Sequence, residues 1–517
     1  MTDEREKPPE EMAVRAGHGV LVRARNGDVI AYDSTGLVLR LADRVIDDIA
    51  LRLRDRLPVG TGKPEAGEAA GHTAGAIDLE RLEAMLDGHD VWNLRADGEW
   101  LRFTGRLAGR QGQRDFCRNR AGGAILADAP GALIAILGIG GPRAALASPQ
   151  TAGYPFHIVA PADDIGAVGH AGIERASTTD LLAPLREMTH EALMAEAWLD
   201  WQMEKHAGLP LFVTRVETDN STSAAALAGG IALENLLIAA ANIKRAADRL
   251  GKSARILAVT LDFALEALDD TAADYRDGML SVMQRIEAGL ARMGFDRPIF
   301  VARLEAGRPG LISDRIIDAQ SELAWNHGDH RLVISAPSYM FGFDPHDRPT
   351  AAARRQMAEM SAAAVSAAAL RPLEANPLKD GWRCPVFHLA ELDLTPAVDG
   401  SITLRAITRA LGDLRLAPGD DTGGDHPVGF AIDGDTTGAH ILSVEVDPSD
   451  AQTLLLRLDR RPAGHDLRLR YGYGPAPDGP ARLAVRDDWQ LVSATGRMLH
   501  RWALPCRLPI HSGGVAS

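Results

Sequence analysis

The chain of 517 residues has few cysteines, and they are widely spaced. Cys117, Cys384 and Cys506 form no Cys-x-x-Cys pair, and an odd number of cysteines leaves at least one thiol free. This pattern excludes a disulfide scaffold and a zinc ribbon. We expect the three to be small, buried or half-buried side chains.

Basic residues are also scarce. There are 56 Lys and Arg against 70 Asp and Glu, which gives a net charge of -14, and no basic run is longer than two or three residues. Binding to a phosphate backbone requires at least a local excess of positive charge. The composition therefore excludes a general nucleic-acid-binding protein.

Long apolar runs are missing as well. A membrane-spanning helix needs about 18 uninterrupted apolar residues, and the run at 132–141 is shorter and ends in glycines. The amino terminus is acidic and contains proline, whereas a secretory signal is basic and then apolar. We expect synthesis in the cytoplasm without a signal peptide, and no membrane insertion.

The length predicts about three domains, at roughly 100–200 residues each. Residues 1–150 form a small mixed domain, in which Asn26-Gly27 predicts a hairpin between strands Gly19–Arg23 and Val29–Tyr32. Residues 58–76 are rich in Gly, Ala and Pro without an apolar period, which predicts a flexible loop.

Residues 151–372 alternate between short apolar strands and long helices. Strands are predicted at Phe156–Ala160, Leu211–Arg215, Ile256–Leu261, Ile299–Leu304 and Leu332–Ser335. Helices are predicted at Ala183–His206, Leu233–Leu250, Ala272–Met293, Ser313–Trp325 and Thr350–Leu370, several of them opened by a capping Ser or Thr. Strands joined by such helices predict an α/β fold, a flavodoxin-like, doubly wound parallel sheet of about five strands.

Residues 373–517 contain short apolar segments separated by Asp, Gly and Pro turns, with one short helical candidate at Ile407–Leu411. This spacing predicts an antiparallel β-sandwich or a jelly-roll-like domain. Its aromatic residues Tyr471, Tyr473 and Trp489 could stack on sugar rings or pack in the core.

No motif indicates a cofactor or a metal. Gly60-Thr61-Gly62-Lys63 lacks the first glycine and the Ser/Thr of a phosphate-binding loop. His190-Glu191 is followed by Met194 where a zinc-protease helix needs a second histidine, so we interpret this segment as an exposed helix face. We expect no cofactor and no metal.

Ligands of open parallel sheets bind in the loops that follow the carboxyl ends of the strands. Polar side chains occupy three of these loops, and they are the candidate ligand-binding residues. They are Asp163, Asp164, Asn220, Ser221, His346 and Arg348.

The last of these loops leads into a helix as Asp344-Pro345-His346-Asp347-Arg348-Pro349-Thr350-Ala351-Ala352-Ala353-Arg354-Arg355-Gln356-Met357-Ala358-Glu359. This run resembles the last block of SGNH (GDSL-type) hydrolases, in particular sialate O-acetylesterase-like carbohydrate esterases. The resemblance covers about residues 154–370. It implies a Ser-His-Asp triad to which this loop contributes Asp344 and His346.

Other blocks of the resemblance are eroded. Residues 156–169 resemble the first block, but Asp163 stands where the nucleophilic serine is expected, and Asp164 follows it. The third block has Ala264-Leu265-Glu266-Ala267 in place of Gly-Glu-Ser-Asp. Counting back from Thr350 puts Arg348, rather than His346, in the histidine position.

Three interpretations follow. The domain keeps the esterase fold and its sugar-facing cleft as a binding module, which we favour because a carboxylate cannot replace the hydroxyl nucleophile. Alternatively, it is an active carbohydrate O-acetylesterase in which Ser221 or Ser223 pairs with His346 and Asp344. In the third, the alignment is wrong and the domain is another doubly wound fold.

The architecture as a whole resembles spike or fibre proteins of tailed phages and gene transfer agents. That resemblance implies a particle component that recognises bacterial surface or capsular polysaccharide. It further implies that residues 1–150 anchor the chain to another particle protein, and we expect an oligomer. A cytoplasmic scaffold without a glycan partner is the remaining class.

Overall fold

The computed structural model describes residues 19–23, 29–33, 36–40, 86, 89–148, 150–267, 269–306, 313–346, 348–369, 381–393, 395–426, 428–475 and 477–512. The predicted loop at 58–76 and the predicted turn at Asn26-Gly27 lie outside these residues. The chain divides into two compact units, residues 1–91 with 105–107 and residues 92–104 with 108–517.

The first unit contains a three-stranded antiparallel sheet in the order β1-β2-β3. Its strands are β1 (Gly19–Arg23), β2 (Val29–Asp33) and β3 (Gly36–Arg40). Gly19 lies opposite Tyr32 and Arg23 opposite Val29, which confirms the predicted pairing of the first two strands.

The second unit begins with a four-stranded sheet in the order β4-β5-β6-β7. Its strands are β4 (Val91–Asp97), β5 (Trp100–Gly105), β6 (Arg114–Asn119) and β7 (Ile125–Ala127). The inner face of β5 carries Leu101 and Phe103, both buried, because its apolar and polar residues alternate along the strand.

The largest sheet of the second unit has seven strands in the order β10-β9-β11-β8-β12-β13-β14. Its strands are β8 (Leu133–Gly140), β9 (Ile158–Pro161), β10 (Leu182–Pro184), β11 (Leu211–Thr218), β12 (Ala254–Asp262), β13 (Ile299–Leu304) and β14 (Leu332–Pro337). All pairs are parallel except that between β10 and β9. The α/β fold with a parallel sheet is therefore confirmed.

The helices of the second unit are α1 (His190–Glu204), α2 (Ala224–Gly229), α3 (Ile231–Arg249), α4 (Ala272–Arg292), α5 (Asp314–Leu323) and α6 (Ala351–Ala369). Helices α1 and α6 pack together, and α3, α4 and α5 form a separate layer. The hydroxyls of Thr189, Ser223, Thr271 and Ser313 cap α1, α2, α4 and α5. These caps satisfy backbone N–H groups that have no partner inside the helix.

The sheet differs from the prediction at its centre. The middle strand of the sheet is β8. The sequence analysis placed these residues in the first domain, residues 1–150. This strand is a continuous apolar run that is buried on both faces, as central strands of parallel sheets are. It was missed because Gly141 and Pro142 follow it, so no long helix marks the crossover.

The carboxyl-terminal region is rich in antiparallel strands, which confirms the predicted class of structure. A seven-stranded sheet has the order β18-β21-β24-β15-β16-β20-β19, and a three-stranded sheet has the order β17-β22-β23. Their strands are β15 (Val386–Leu392), β16 (Ile402–Arg409), β17 (Arg415–Pro418), β18 (Phe430–Asp433), β19 (Ile441–Asp447), β20 (Asp450–Leu458), β21 (Arg468–Tyr471), β22 (Leu483–Val492), β23 (Met498–Trp502) and β24 (Cys506–Ser512). The predicted helix at Ile407–Leu411 is wrong, because its first residues end β16.

One apolar core joins this region to the central sheet. Tyr339 and Phe341, which follow β14, are buried in the same cluster as Phe387, Phe430 and Tyr471 of the carboxyl-terminal strands. The Tyr339 hydroxyl donates to the carbonyl of Ala503 at 2.6 Å. The residues directly after β14 are thus covered by the carboxyl-terminal strands, whereas His346 and Arg348 further along the loop are exposed.

The cysteines are buried and unpaired, as expected. Burial raises the pKa of the Cys117 and Cys384 thiols to about 12, so both stay protonated at neutral pH. Among the helices that the structure describes, none is long and apolar enough to cross a bilayer.

Candidate functional site at the carboxyl edge of the central sheet

The order in which strands are added to the central sheet reverses between β8 and β12. After β8 the chain builds β9, β10 and β11 on one side, and it then crosses to the other side to build β12, β13 and β14. In doubly wound sheets, ligands bind at such a switch point, outside the carboxyl ends of the strands. Residues that follow β8 and β12 are therefore the first to consider as a site.

Arg143, which follows β8, occupies this switch point. Its Nε and Nη2 lie 3.1 and 2.6 Å from Oδ1 of Asp262, the last residue of β12, and Nη2 also contacts Glu305. Nη2 of Arg303 lies 2.7 Å from Oδ2 of Asp262. The side chains of Arg143 and Glu305 are 8% and 2% exposed, so the ion pairs are almost free of solvent.

The arginines decide the charge of Asp262. Burial by itself would raise the pKa of Asp262, but Arg143 and Arg303 beside the carboxylate hold that pKa well below its usual value. Two arginines and two carboxylates therefore form a compact, internally neutralised cluster at the place where a ligand would be expected.

Glycines of β8 make this close packing possible. A Cβ atom at Gly141 would overlap the carboxylate of Glu266, and one at Gly138 would overlap the carboxylate of Glu191. The segment Gly138-Ile139-Gly140-Gly141 is thus explained by the close approach of acidic side chains to the strand.

A narrow cavity next to Arg143 contains a serine beside a histidine. Ser361 Oγ of α6 lies 3.1 Å from Nε2 of His190, and both line the cavity with Arg143 and Arg303. The Ser361 hydroxyl donates a hydrogen bond to Ser335 Oγ at 3.3 Å. The hydroxyl is thus directed at Ser335, whereas a catalytic pair needs the serine to donate to the imidazole.

The prediction that His190-Glu191 lies on an exposed helix face is wrong. Glu191 is 1% exposed, and its Oε1 accepts a hydrogen bond of 2.5 Å from Thr260. Burial raises the pKa of Glu191 and lowers the pKa of His190 to about 3. The helix turns this face toward the sheet because α1 packs on β8 and α6 covers its other side.

Asp163 lies in a different buried cluster. Its Oδ1 is 3.0 Å from Nη1 of Arg215, and Nε of Arg215 is 2.7 Å from Oε1 of Glu217. All three side chains are at most 1% exposed. Asp163, which the sequence analysis put in the position of the nucleophilic serine, follows β9, the second strand from the sheet edge, and does not lie at the switch point.

The remaining predicted residues of these loops are closer to solvent. Asp164 is exposed with φ 67°, and its carbonyl accepts from Arg186 at 2.7 Å. Asn220 is exposed, and the backbone N–H of Ser221 donates to Asp219 at 2.9 Å. The hydroxyl of Ser223 accepts from Ala226 N at 3.1 Å and so caps α2.

In the last loop, Asp344 bonds to Arg348 rather than to the imidazole of His346. Oδ2 of Asp344 lies 2.9 Å from Nε of Arg348, while its Oδ1 accepts the backbone N–H groups of His346 at 2.9 Å and of Arg348 at 3.0 Å. Hydrogen bonds with Asp344 hold its pKa below the usual value, the largest being that of the Arg348 backbone. The expected orientation of His346 by Asp344 is absent from the side-chain contacts of the described residues.

The structure does not gather the predicted residues into one site. β9 and β14, which precede the Asp163 and Asp344 loops, are five strand positions apart in the sheet. At the usual spacing of neighbouring strands, this amounts to about 24 Å. No hydrogen bond or ion pair between described residues joins the side chains of Asp344, His346 or Arg348 to the loops of Asp163 or Asn220.

Sequence reasoning missed Arg143, Asp262 and Glu305. The signal that could have found them is the apolar run of β8, since recognising it as the central strand makes the residues after Gly140 the first loop of the sheet. Within the described ranges, no group of three or more His, Cys, Asp or Glu residues has an arrangement suited to a metal ion.

Of the three aromatic residues for which sugar stacking and core packing were the alternatives, two are core residues. Tyr471 is fully buried, and its hydroxyl accepts from Val485 N at 2.9 Å. Tyr473 is 4% exposed and bonds to Asp318 at 3.2 Å. Trp489 is half-buried and lines an open pocket.

No protein-family model matches the chain, and no curated protein matches it. Among solved structures, the chain is similar to a carbohydrate acetylesterase from Xanthomonas citri, with a TM-score of 0.44, 14% sequence identity, and coverage of 80% of this chain and 96% of that chain.

Proposed function

We propose that the chain is a non-catalytic carbohydrate-binding protein built on an SGNH-like α/β domain. Two features support the family assignment. The run from Asp344 to Glu359 resembles the last block of these hydrolases. In addition, leaving aside β9 and β10, the parallel strands have the order 2-1-3-4-5 along the sheet, which is the flavodoxin-like order.

The single observation that supports loss of catalysis is the position of Arg143. In the resembled family, the nucleophilic serine follows the first strand of the sheet, which here is β8. Acyl transfer needs a hydroxyl that a base can deprotonate and a set of donors for the oxyanion. Arg143 offers no such hydroxyl, and its guanidinium is already bound to Asp262 and Glu305.

Ser223 and Ser361 do not replace the missing nucleophile. The hydroxyl of Ser223 caps a helix, and that of Ser361 is directed at Ser335. Asp344 is held by Arg348 and leaves the imidazole of His346 without its expected acidic partner. These contacts favour binding over the alternative function, an active carbohydrate O-acetylesterase.

The proposed ligand is a bacterial surface or capsular polysaccharide. We also propose that the protein belongs to a phage-like particle, reaches it from the cytoplasm, and attaches to another particle protein through residues 1–150. These last points, and the oligomeric state, stay predictions from the sequence.

An esterase assay combined with a binding assay tests the proposal. We expect the purified full-length protein to release no acetate from p-nitrophenyl acetate or from an O-acetylated bacterial polysaccharide, and to bind that polysaccharide in isothermal titration calorimetry. Acetate release that His346→Ala and either Ser221→Ala or Ser223→Ala abolish, while His440→Ala leaves it intact, would show that the chain is an enzyme. His440 is a suitable control because it is exposed and lies in the carboxyl-terminal region.

A further inference from the structure

An open pocket lies between α6 and the carboxyl-terminal strands, far along the chain from the predicted loops. It has a volume of about 350 Å³, within the range of small-ligand pockets. Its lining residues are Ala363, Ala367, Gly381, Trp382, Leu411, Trp489 and Arg501. We call the set Trp382, Trp489 and Arg501 the aromatic pocket.

The two tryptophans are held in fixed positions. Their ring centroids are 4.7 Å apart with an interplanar angle of 83°, so the edge of one ring meets the face of the other. The indole N–H of Trp382 donates to the carbonyls of Ile334 and Ser335, both at 3.1 Å. The backbone of Trp489 is bonded to Asp487 at 3.0 Å. A ligand would therefore meet rings that need no reordering.

Arg501 completes the pocket with hydrogen-bond donors. Its guanidinium carbon lies 5.5 Å from the centre of the Trp382 ring and 5.7 Å from that of Trp489. Nε and Nη2 bind the carboxylate of Asp487 at 3.2 and 2.7 Å. Arg501 is 7% exposed, and its Nη1 makes no hydrogen bond with the residues that the structure describes.

Two further arginines lie close along the chain to residues that line the pocket. Arg383 follows Trp382, and Arg409 lies two residues before Leu411, opposite Val386 in the register of β15 and β16. Neither arginine has a carboxylate partner among residues 89–148, 150–267 and the other described ranges. We call these residues the arginine pair.

The arginine pair is a local excess of positive charge in a chain of net charge -14. Arg409 is exposed, and Arg383 is half-buried. Burial and the neighbouring Arg409 both lower the pKa of Arg383, which is the signature of a cation without a counterion. The guanidinium of Arg409 also lies 5.6 Å from the ring of Trp325, which is 39% exposed.

The geometry points to a binding site for an acidic polysaccharide, in which a pyranose ring packs against Trp489 and Trp382 and sugar carboxylates bind the arginine pair. Indole rings offer a flat apolar surface to the C–H face of a sugar. Guanidinium groups bind carboxylates through paired hydrogen bonds. The inference rests on the proposed function, and it names the class of glycan and the surface that binds it.

A single-stranded nucleic acid also has rings and negative charge, but the surface suits it less well. It carries a phosphate at every nucleotide, and its binding proteins line a long groove with many cations. Two unpaired arginines neutralise too few phosphates for this mode of binding. A polysaccharide with a carboxylate on its sugars needs fewer cations per ring.

The test compares variants of the full-length protein in calorimetric binding to polygalacturonate, with dextran and poly(dT) as other ligands. We expect wild type to bind polygalacturonate in preference to both. Arg383→Gln/Arg409→Gln and Trp489→Ala should each weaken binding about tenfold or more, which corresponds to about 1.4 kcal/mol. Arg461→Gln and Trp92→Ala, which alter exposed residues elsewhere, should bind as wild type does.

The failures of the two proposals are distinguishable. If wild type binds no polysaccharide at all, including the acetylated one, the proposed function is wrong. If wild type binds polygalacturonate and the double arginine variant binds it equally well, the glycan-binding function stands and the assignment of this surface is wrong. Stronger binding to poly(dT) than to polygalacturonate also overturns the assignment. The arginine variant keeps the test valid should Trp489→Ala not fold.

Discussion

Two groups of arginines in this chain differ in their surroundings. Arg143 lies at the switch point of the central sheet, nearly free of solvent and bound to Asp262 and Glu305. Arg383 and Arg409 lie at the carboxyl-terminal strands, and no carboxylate of the described residues neutralises them. A buried charge must be paired inside the protein, whereas a charge near the surface is hydrated and can bind a charged ligand.

The charge of Arg143 stabilises the fold, whereas we propose that the charges of the arginine pair bind a ligand. At the carboxyl edge of the sheet, the acidic and basic side chains satisfy one another, so the expected ligand position is closed by the protein itself. In the arginine pair, no carboxylate of the described residues compensates the charge, and Arg383 directly follows Trp382 of the open pocket. We therefore propose that the ligand binds at the carboxyl-terminal strands and not at the carboxyl edge of the central sheet.

The largest expected difference between the two groups of arginines is in their contribution to the stability of the fold. Arg143→Met leaves two buried carboxylates with less compensation, and we expect the free energy of unfolding in urea to fall by about 3–5 kcal/mol. Removing the charges of the arginine pair by Arg383→Gln/Arg409→Gln should cost less than about 1 kcal/mol, as surface changes usually do. Equal losses of stability in the two variants would break the comparison.

A smaller effect is expected at Asp163, which the sequence analysis assigned to ligand binding. Asp163→Asn replaces a charged acceptor of Arg215 by a neutral one, and we expect a loss of about 1.5–3 kcal/mol in the free energy of unfolding. Polysaccharide affinity should not change. The exposed neighbour Asp164 provides the control, Asp164→Asn, which should leave both quantities as in wild type; reduced affinity of the Asp163 variant at unchanged stability would contradict our assignment.

The smallest expected effect is a pH dependence at Glu191. Burial raises the pKa of Glu191 in the folded state, so the folded protein holds a proton that the unfolded chain releases above a pH of roughly 4.3. This group's contribution to stability is fully present below that pH and is lost as pH rises through the folded-state pKa.

Glu191→Gln cannot lose a proton at this position. We therefore expect its free energy of unfolding, relative to that of wild type, to be higher at pH 8 than at pH 5. Urea unfolding at the two pH values measures the difference. The exposed Glu445→Gln serves as the control and should show no such trend. A Glu191 variant whose relative stability is the same at both pH values would mean that the carboxylate is ionised in the folded protein.

Much of the fold could be predicted from local patterns. The capping residues Thr271 and Ser313 marked helix starts, and the apolar segments of β11 to β14 marked strands, because both signals depend on neighbours in the sequence. The central strand Leu133–Gly140 was not predicted, since glycines and a proline follow it instead of a helix. Ile407–Leu411 was assigned to a helix because so short an apolar segment fits either period.

The site was harder to predict than the fold. Asp163 and Asp344 have the residue types of a catalytic loop, but the first belongs to a buried cluster with Arg215 and the second bonds to Arg348. Which acid meets which arginine depends on residues 52 and 119 positions apart in the pairs Asp163–Arg215 and Arg143–Asp262. No local pattern reports such pairings.

By itself, the sequence determined that the chain lacks a disulfide framework, that its middle part is α/β, and that its last part is rich in strands. These properties follow from composition and from the periods of apolar residues. Only the tertiary structure decided that β8 is the central strand, that Arg143 is neutralised at its end, and that Trp382, Trp489 and Arg501 line one pocket. The physical reason is that the energy of a charge or an aromatic ring depends on what surrounds it, and the surroundings are set by strand order and packing.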